Sequence, residues 1–233
     1  MTNKIKPSSF LNKKTLASFQ HMDSKTAFTT IYENQFWGTN PGQKYYSGDG
    51  SHDERHVEPY IQSVNNFLTS LENPPTIIDL GCGDFSIGKQ LVEYSKHYFA
   101  CDIVEDLISN NQLNFNHEKL TFLCIDAEHD KLPQGDVLIL RQVLQHLSNH
   151  AITLITKQFI NFKYIILTEH LPMGEFIANK DKSTGPDSRL RFKSGIDLTK
   201  APFELSIKNQ ATICETFSQD SFEGVIRTII YSL

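Results

Sequence analysis

The chain is poor in cysteine, with four among 233 residues, at positions 82, 101, 124 and 214. They stand singly, so neither a disulfide framework nor a Cys-x-x-Cys zinc or redox motif is available, and reduced, buried thiols are expected. Basic residues are also in deficit, 22 against 27 acidic ones, for a net charge of −5. A chain with that balance advertises no positive field for nucleic acid. No apolar run approaches a membrane span. The stretch from Met1 to Lys14 has lysines but no apolar core, so no signal peptide is expected and a cytoplasmic location is. The histidines at 21, 52, 56, 97, 117, 129 and 150 are scattered. His52 and His56 would lie one turn apart only in a helix already begun at 52, so no metal is expected. There is no internal repeat, and at this length one α/β domain with an N-terminal extension is the economical reading.

What is present centres on Thr76-Ile77-Ile78-Asp79-Leu80-Gly81-Cys82-Gly83-Asp84-Phe85-Ser86-Ile87-Gly88. A short apolar run stopped by glycines predicts a buried parallel strand, a tight turn and a helix opening near Ser86 with free amides toward a ligand. Glycines at 81 and 83 allow positive φ and close approach of the backbone to that ligand. No Lys-Ser/Thr pair follows, which argues against a nucleoside-triphosphate loop. After the next apolar run, Tyr98 to Cys101, comes Asp102, where doubly wound folds bind a ribose diol. Its alternative reading is a helix N-cap.

In chain order, residues 1–22 read as a loose leader or frayed helix. A helix starts at Asp23 or Ser24 with Ala27, Phe28, Ile31 and Tyr32 on one face. The turn-rich segment from Thr39 to Ser51 reads as a lid or as a surface loop anchored by its aromatics. A long helix is predicted over 53–71 and a crossover helix over 87–94. Strands are predicted over 97–101, 120–125, 135–140 and 164–168, and helices over 104–111 and 148–160. Two late strand-like runs, 211–217 and 225–231, form a hairpin around Ser218 to Gly224. The alternation predicts a doubly wound, mostly parallel α/β sheet with helices on both faces. The boundary falls between an extension with lid loop, 1–52, and the main domain, 53–233.

The strand, acid and Gly-x-Gly of Ile78 to Gly83 resemble the first motif of the class I S-adenosylmethionine-dependent methyltransferases. The resemblance runs on through Cys101-Asp102, Cys124 to Ala127, and Leu132-Pro133 to Leu140. More narrowly, Trp37-Gly38, Ser47 to Ser51, Arg141 to Ser148 and Asp197 to Phe203 are similar to a mostly uncharacterised bacterial branch. It implies a Rossmann-like seven-stranded sheet, its last two strands the antiparallel hairpin, and S-adenosyl-L-methionine as cofactor, leaving S-adenosyl-L-homocysteine. Residue by residue it implies Gly81, Cys82 and Gly83 along the methionine portion and Asp79 ordering the loop. Asp102 would bind the ribose, Ile103 the adenine face, and Asp126 the adenine amino group with Ala127 beside it. The alternative reading of Asp126 is a plain turn residue. Arg141 would sit beneath the cofactor, meeting its carboxylate or an acid on the substrate, or serve as an ion-pair residue.

His146 and His170 follow the predicted fourth and fifth strands and are the candidate bases, Glu169 being a possible orienter of His170. Trp37 and Tyr46 are candidates for the acceptor pocket. Arg189 and Arg191 are candidates for binding a carboxylate or phosphate, or are solvated charges on a mobile loop. The expected activity is methyl transfer to N or O of a small molecule, with no membrane or nucleic-acid partner. The rivals are a protein or tRNA methyltransferase and a non-catalytic cofactor-binding module. A short-chain NAD oxidoreductase is disfavoured, since no Tyr-x-x-x-Lys pair follows the fourth strand.

Overall fold

The computed structural model describes residues 11–218 and 223–233. Residues 1–10 of the leader and the hairpin turn at 219–222 lie outside the described residues. Seven strands form one sheet: β1 (Thr76–Leu80), β2 (His97–Asp102), β3 (Leu120–Cys124), β4 (Val137–Arg141), β5 (Tyr164–Pro172), β6 (Asn209–Ser218) and β7 (Gly224–Ser232). Their order is β3-β2-β1-β4-β5-β7-β6. β1 to β5 pair in parallel, while β7 runs antiparallel to both β5 and β6. The chain therefore leaves β1 for β2 and β3 on one side and returns through β4 to the other. That reversal opens a crevice beyond the carboxyl ends of β1 and β4.

Successive strand side chains face opposite ways, and both sheet faces here are covered. Ile77 and Ile139 lie on one face with Tyr60, Val64 and Leu68 of α3 (Glu54–Ser70). Ile78, Leu138 and Leu140 lie on the other with Ala151, Ile152 and Ile155 of α5 (Asn149–Thr156). Every residue of β4 is buried, which explains its Val-Leu-Ile-Leu run. Helix starts follow the capping rule: the side chains of Asp23, Asp53 and Ser148 each accept a backbone N–H in the first turn of their helices.

Two short helices precede the sheet, α1 (Lys13–Ala17) and α2 (Ser24–Glu33), and α4 (Glu105–Asn114) follows β2. The end of the expected loose leader is ordered, because Phe19 is buried against Ala27 and Ile31. The crossover expected as a helix over 87–94 is instead a pair of 3-10 turns, Gly88–Gln90 and Val92–Tyr94. Phe85 is the cause. It takes φ +62° and drives its ring among Tyr98, Phe115 and Phe122. A Cβ on Gly88 would stand 2.4 Å from that ring. A segment this short, tied to a buried wedge, has no room to propagate an α-helix. The free helix amides expected at Ser86 are accordingly absent, and Ser86 N–H donates to Asp84 Oδ1 at 3.1 Å. β5 also runs longer than expected, so His170 lies inside it rather than beyond it. Cys124 is exposed at the end of the edge strand β3, against the expectation of a buried thiol, whereas Cys82 and Cys101 are buried.

Candidate active site

A cavity of about 480 Å³ fills the crevice at the strand ends. Its floor is the glycine turn, where Gly81 has φ +78° and Gly83 φ +56°, both favouring glycine. The amides of this turn are already used. Gly81 N–H and Cys82 N–H both donate to the Cys101 carbonyl, at 2.8 and 3.0 Å. Gly83 N–H donates to Asp102 Oδ2 at 3.1 Å. A phosphate cradle needs free amides, and this turn offers none, so it suits a ligand that donates hydrogen bonds.

Asp79, Asp102, Ile103, Asp126, Ala127 and Arg141 all line the cavity, as do Gly81, Cys82 and Gly83. Asp79 accepts from Tyr98 Oη at 2.9 Å, and burial pushes it up to about 7. Asp102 accepts from Val104 N–H as well as Gly83 N–H, and burial outweighs these bonds to raise it to about 6. It does not cap α4, whose N-cap position is Val104. Asp126 is a turn residue as well as a lining one, accepting from Glu128 N–H and pairing with His129 Nδ1 at 2.8 Å. Arg141 is buried over the Tyr60 ring. Its guanidinium donates to the Gly50 carbonyl at 2.7 Å and to Ser51 Oγ at 3.4 Å, which ties the turn-rich segment from Thr39 to Ser51 to the end of β4.

Sequence reasoning missed a second tie. Ser47 N–H donates to Asp84 Oδ2 and Asp84 N–H donates to Ser47 Oγ, both at 2.8 Å, while His52 Nε2 sits 2.7 Å from Asp84 Oδ2. Burial pushes the Asp84 carboxyl up, but the bonds from His52 and Ser86 overcome it and hold it below the usual range. These partners are far apart in sequence, so no local pattern could pair them.

The far wall joins the loop after β4 to the segment 179–194. Gly185 N–H and Lys182 Nζ donate to the His146 carbonyl at 2.9 and 3.1 Å. Ser148 N–H donates to Thr184 Oγ1 at 3.1 Å, and Asn149 Nδ2 to the Asn179 carbonyl at 2.8 Å. Arg189, expected to bind an acceptor anion, is instead fully buried in this wall. Its guanidinium donates to the Leu147 carbonyl at 2.7 Å and to that of Lys180. Nor is the segment the mobile loop of the bland reading, since these bonds staple it along its length. Glu169 is buried and accepts from Leu144 N–H and Gln145 N–H at 2.9 and 3.0 Å. Adjacent strand residues face opposite sides, so it does not orient His170.

His146 and His170 both line the cavity. Gln145 Oε1 accepts from His170 N–H at 3.2 Å, which leaves its Nε2 facing His146 Nε2 at 3.2 Å. The amide donates there, so the His146 ring proton is assigned to Nδ1 and its lone pair is engaged. Burial, with Lys182 nearby, lowers His146 to about 3. Trp37 closes the roof: its ring lies 5.0 Å from that of His146 and its Nε1 donates to the Pro186 carbonyl at 3.1 Å. Tyr32, read only as a helix-face residue, also lines the cavity, with Oη 3.0 Å from Ser47 Oγ. Tyr46 does not line it. It stacks on His52 at 4.5 Å and donates to Asp49. Arg191 lines the rim. No group of three or more potential metal ligands occurs among the described residues.

Three carboxyls held up by burial make folding pH-sensitive. Asp102 near 6, Asp79 near 7 and Glu169 near 8 keep protons that the unfolded chain has lost. Their contribution to stability is full below the unfolded values, near 4, and is lost as pH rises through 6 to 8. Lys182, lowered by burial to about 8, works the other way only above that pH, and His146 only below its unfolded value of about 6.5. Between pH 6.5 and 8 the ligand-free protein should therefore lose about 2 kcal/mol, roughly 5 °C in Tm. Scanning calorimetry checks this, and a Tm that rises over the same interval contradicts it.

Residues 78–156 match the family described as Methyltransferase domain. No curated protein matches the chain. Among solved structures, N-methyltransferase NodS from Bradyrhizobium japonicum with bound S-adenosyl-L-homocysteine is similar at TM-score 0.61 and 12% identity, over 90% of this chain and 99% of that one. Magnesium protoporphyrin IX methyltransferase from Synechocystis, with bound S-adenosylmethionine, is similar at 0.54 and 15%, over 89% and 97%. A Leishmania major methyltransferase is similar at 0.55 and 15%, over 93% and 81%. Residues 78–156 thus match a methyltransferase domain, and the fold is that of the class I S-adenosylmethionine-dependent methyltransferases.

Proposed function

We propose that this protein transfers a methyl group from S-adenosyl-L-methionine to a nitrogen or oxygen of a small molecule, releasing S-adenosyl-L-homocysteine. The observation that carries the reading is the glycine turn with its amides spent and Asp102 at its side. A turn that can only accept suits the ammonium of the methionine portion, and a buried carboxylate suits a ribose diol. When bound, the cofactor would supply an electrophilic methyl on a sulfonium to the acceptor's lone pair, its sulfur keeping the bonding pair. Gly81 and Gly83 let the backbone approach closely, Ile103 and Ala127 wall the adenine side, and Arg141 holds the turn-rich segment from Thr39 to Ser51 over the site. The roof formed by Trp37 and the stapled far wall excludes water and favours an acceptor of small-molecule size. His146, with its lone pair engaged and its proton affinity suppressed, orders the wall, which leaves His170 as the side chain proposed to take the acceptor's proton. Residues 1–52 act in this reading as an extension that completes the site of the 53–233 domain.

Calorimetric titration with S-adenosylmethionine, S-adenosylhomocysteine and NAD tests the assignment. Micromolar binding of the two sulfur ligands is expected, with none for NAD. Failure of both sulfur ligands to bind would end the methyltransferase reading.

A further inference from the structure

The rim of the cavity carries a charge arrangement unlike the rest of the lining. The Lys182 ammonium and the Arg191 guanidinium both face one carboxylate, Asp187, at 3.3 and 3.7 Å. Asp187 and Arg191 line the cavity, while the Lys182 side chain is buried behind them. Elsewhere in the lining the carboxylates have local partners: Asp84 has His52, Asp126 has His129, and Asp102 has two backbone amides. At the rim two cations share one anion. Among the described residues Arg191 donates no hydrogen bond, and its one ion pair is the long contact to Asp187. Its fork of donors is therefore available to a bidentate oxyanion. The same lining holds Phe28, Tyr32 and Trp37, the Trp37 ring 6.1 Å from that of Phe28 and 5.3 Å from that of Tyr32, and Trp37 bonds to the Pro186 carbonyl next to Asp187. An apolar wall in the same cavity as an under-neutralised guanidinium selects a ligand with an apolar body and an anionic end.

We propose that the methyl acceptor is an apolar molecule bearing a carboxylate or phosphate group, and that Arg191, backed by Lys182, binds that group at the rim. This rests on the reading of the cavity as a methyltransferase site. Arg189, which the sequence offered as the partner of Arg191, takes no part, because its guanidinium is committed to two backbone carbonyls in the wall. Asp187 acts as a placeholder: it keeps Lys182 charged in the unliganded site and yields Arg191 to the incoming anion. Burial lowers Lys182 to about 8, and a second negative charge nearby favours its ammonium further.

The chain contains one tryptophan, Trp37, and its indole N–H bonds to Pro186, next to Asp187. Its emission reports occupancy of the rim directly. The experiment titrates the full chain, saturated with S-adenosylhomocysteine, with benzoate, phenyl phosphate, benzamide and benzylamine while following Trp37 emission. Benzoate or phenyl phosphate should give a saturable change, and which of them binds tighter identifies the oxyanion. Benzamide and benzylamine should bind about tenfold more weakly or not at all. Arg191→Gln should weaken the anion by about tenfold or more, and Arg191→Lys by less, since the lone ammonium loses the fork. Affinity for S-adenosylhomocysteine, measured by calorimetry on the same variants, should be unchanged, which certifies their fold. Equal binding of benzamide and benzoate, no saturable response to either anion, or an anion affinity indifferent to Arg191→Gln would overturn the proposal. Loss of S-adenosylhomocysteine binding by the wild-type protein would instead strike the cofactor assignment and leave the anion result readable.

Discussion

Asp102→Ala should reduce affinity for S-adenosylmethionine by about a hundredfold or more. The carboxylate accepts two backbone amides and lines the cavity at the end of β2. A ribose diol donating to it would gain two charge-assisted hydrogen bonds, each worth about 1.5–3 kcal/mol in net terms. Removing the side chain loses both and also strips the Gly83 amide of its acceptor, loosening the turn. Asp102→Asn keeps the volume but not the charge, and should fall between alanine and wild type. The wild-type protein should show the same dependence on pH. Burial sets Asp102 near 6, so affinity should hold above that value and decline below it as the carboxyl gains a proton. Calorimetry from pH 5 to 7.5 measures both effects, and near-wild-type affinity in the alanine variant would refute the assignment.

The second large effect is expected at Gly81. An alanine there would place its Cβ 2.5 Å from Val143 Cγ2, on a backbone at φ +78°. The left-handed backbone costs an L-residue roughly 1–2 kcal/mol, and forcing a methyl into the packed contact costs about 1–3 more. Gly81→Ala should thus lose about 2–5 kcal/mol and bind the cofactor poorly, because Val143 leads the loop whose amides rest on Glu169. Gly174 supplies an internal control. It has a similar φ, +70°, with nothing within 4 Å of its would-be Cβ. Gly174→Ala should cost only the backbone strain and leave the cofactor affinity alone. Denaturant unfolding of the pair separates the two contributions, and equal losses would mean that the Val143 contact does not matter.

Features set by local chemistry were readable before the fold was seen. Buried parallel strands announce themselves as short apolar runs, so β1, β2 and β4 fell where expected, and Asp23, Asp53 and Ser148 marked helix starts through their side-chain oxygens. The residues at or just beyond the strand ends, Gly81 to Gly83, Asp102 and Asp126, do line the cavity, because topology alone brings strand ends together. What depends on remote packing was not readable. The Phe85 wedge replaced a crossover helix by two 3-10 turns. His170 was placed past a strand that continues through Pro172 under its pairing with β7. Arg189 looked like a surface cation, and only the carbonyls of Leu147 and Lys180 explain its burial. Tyr46 turned to His52, leaving Trp37 alone to close the roof.

The bond from Trp37 to Pro186 joins positions 149 apart in the chain. A contact of that separation has to wait for its partner. As the protein emerges from the ribosome, the extension leaves first, yet the carbonyl that receives its indole appears only after β5 has been made. Ser47 and Gly50 of the extension can meet Asp84 and Arg141 earlier, but the Trp37 indole must wait for Pro186 while β1 to β5 pair. Roof closure follows the strands that it covers, and the site comes to shelter a ligand only once Pro186 has been translated.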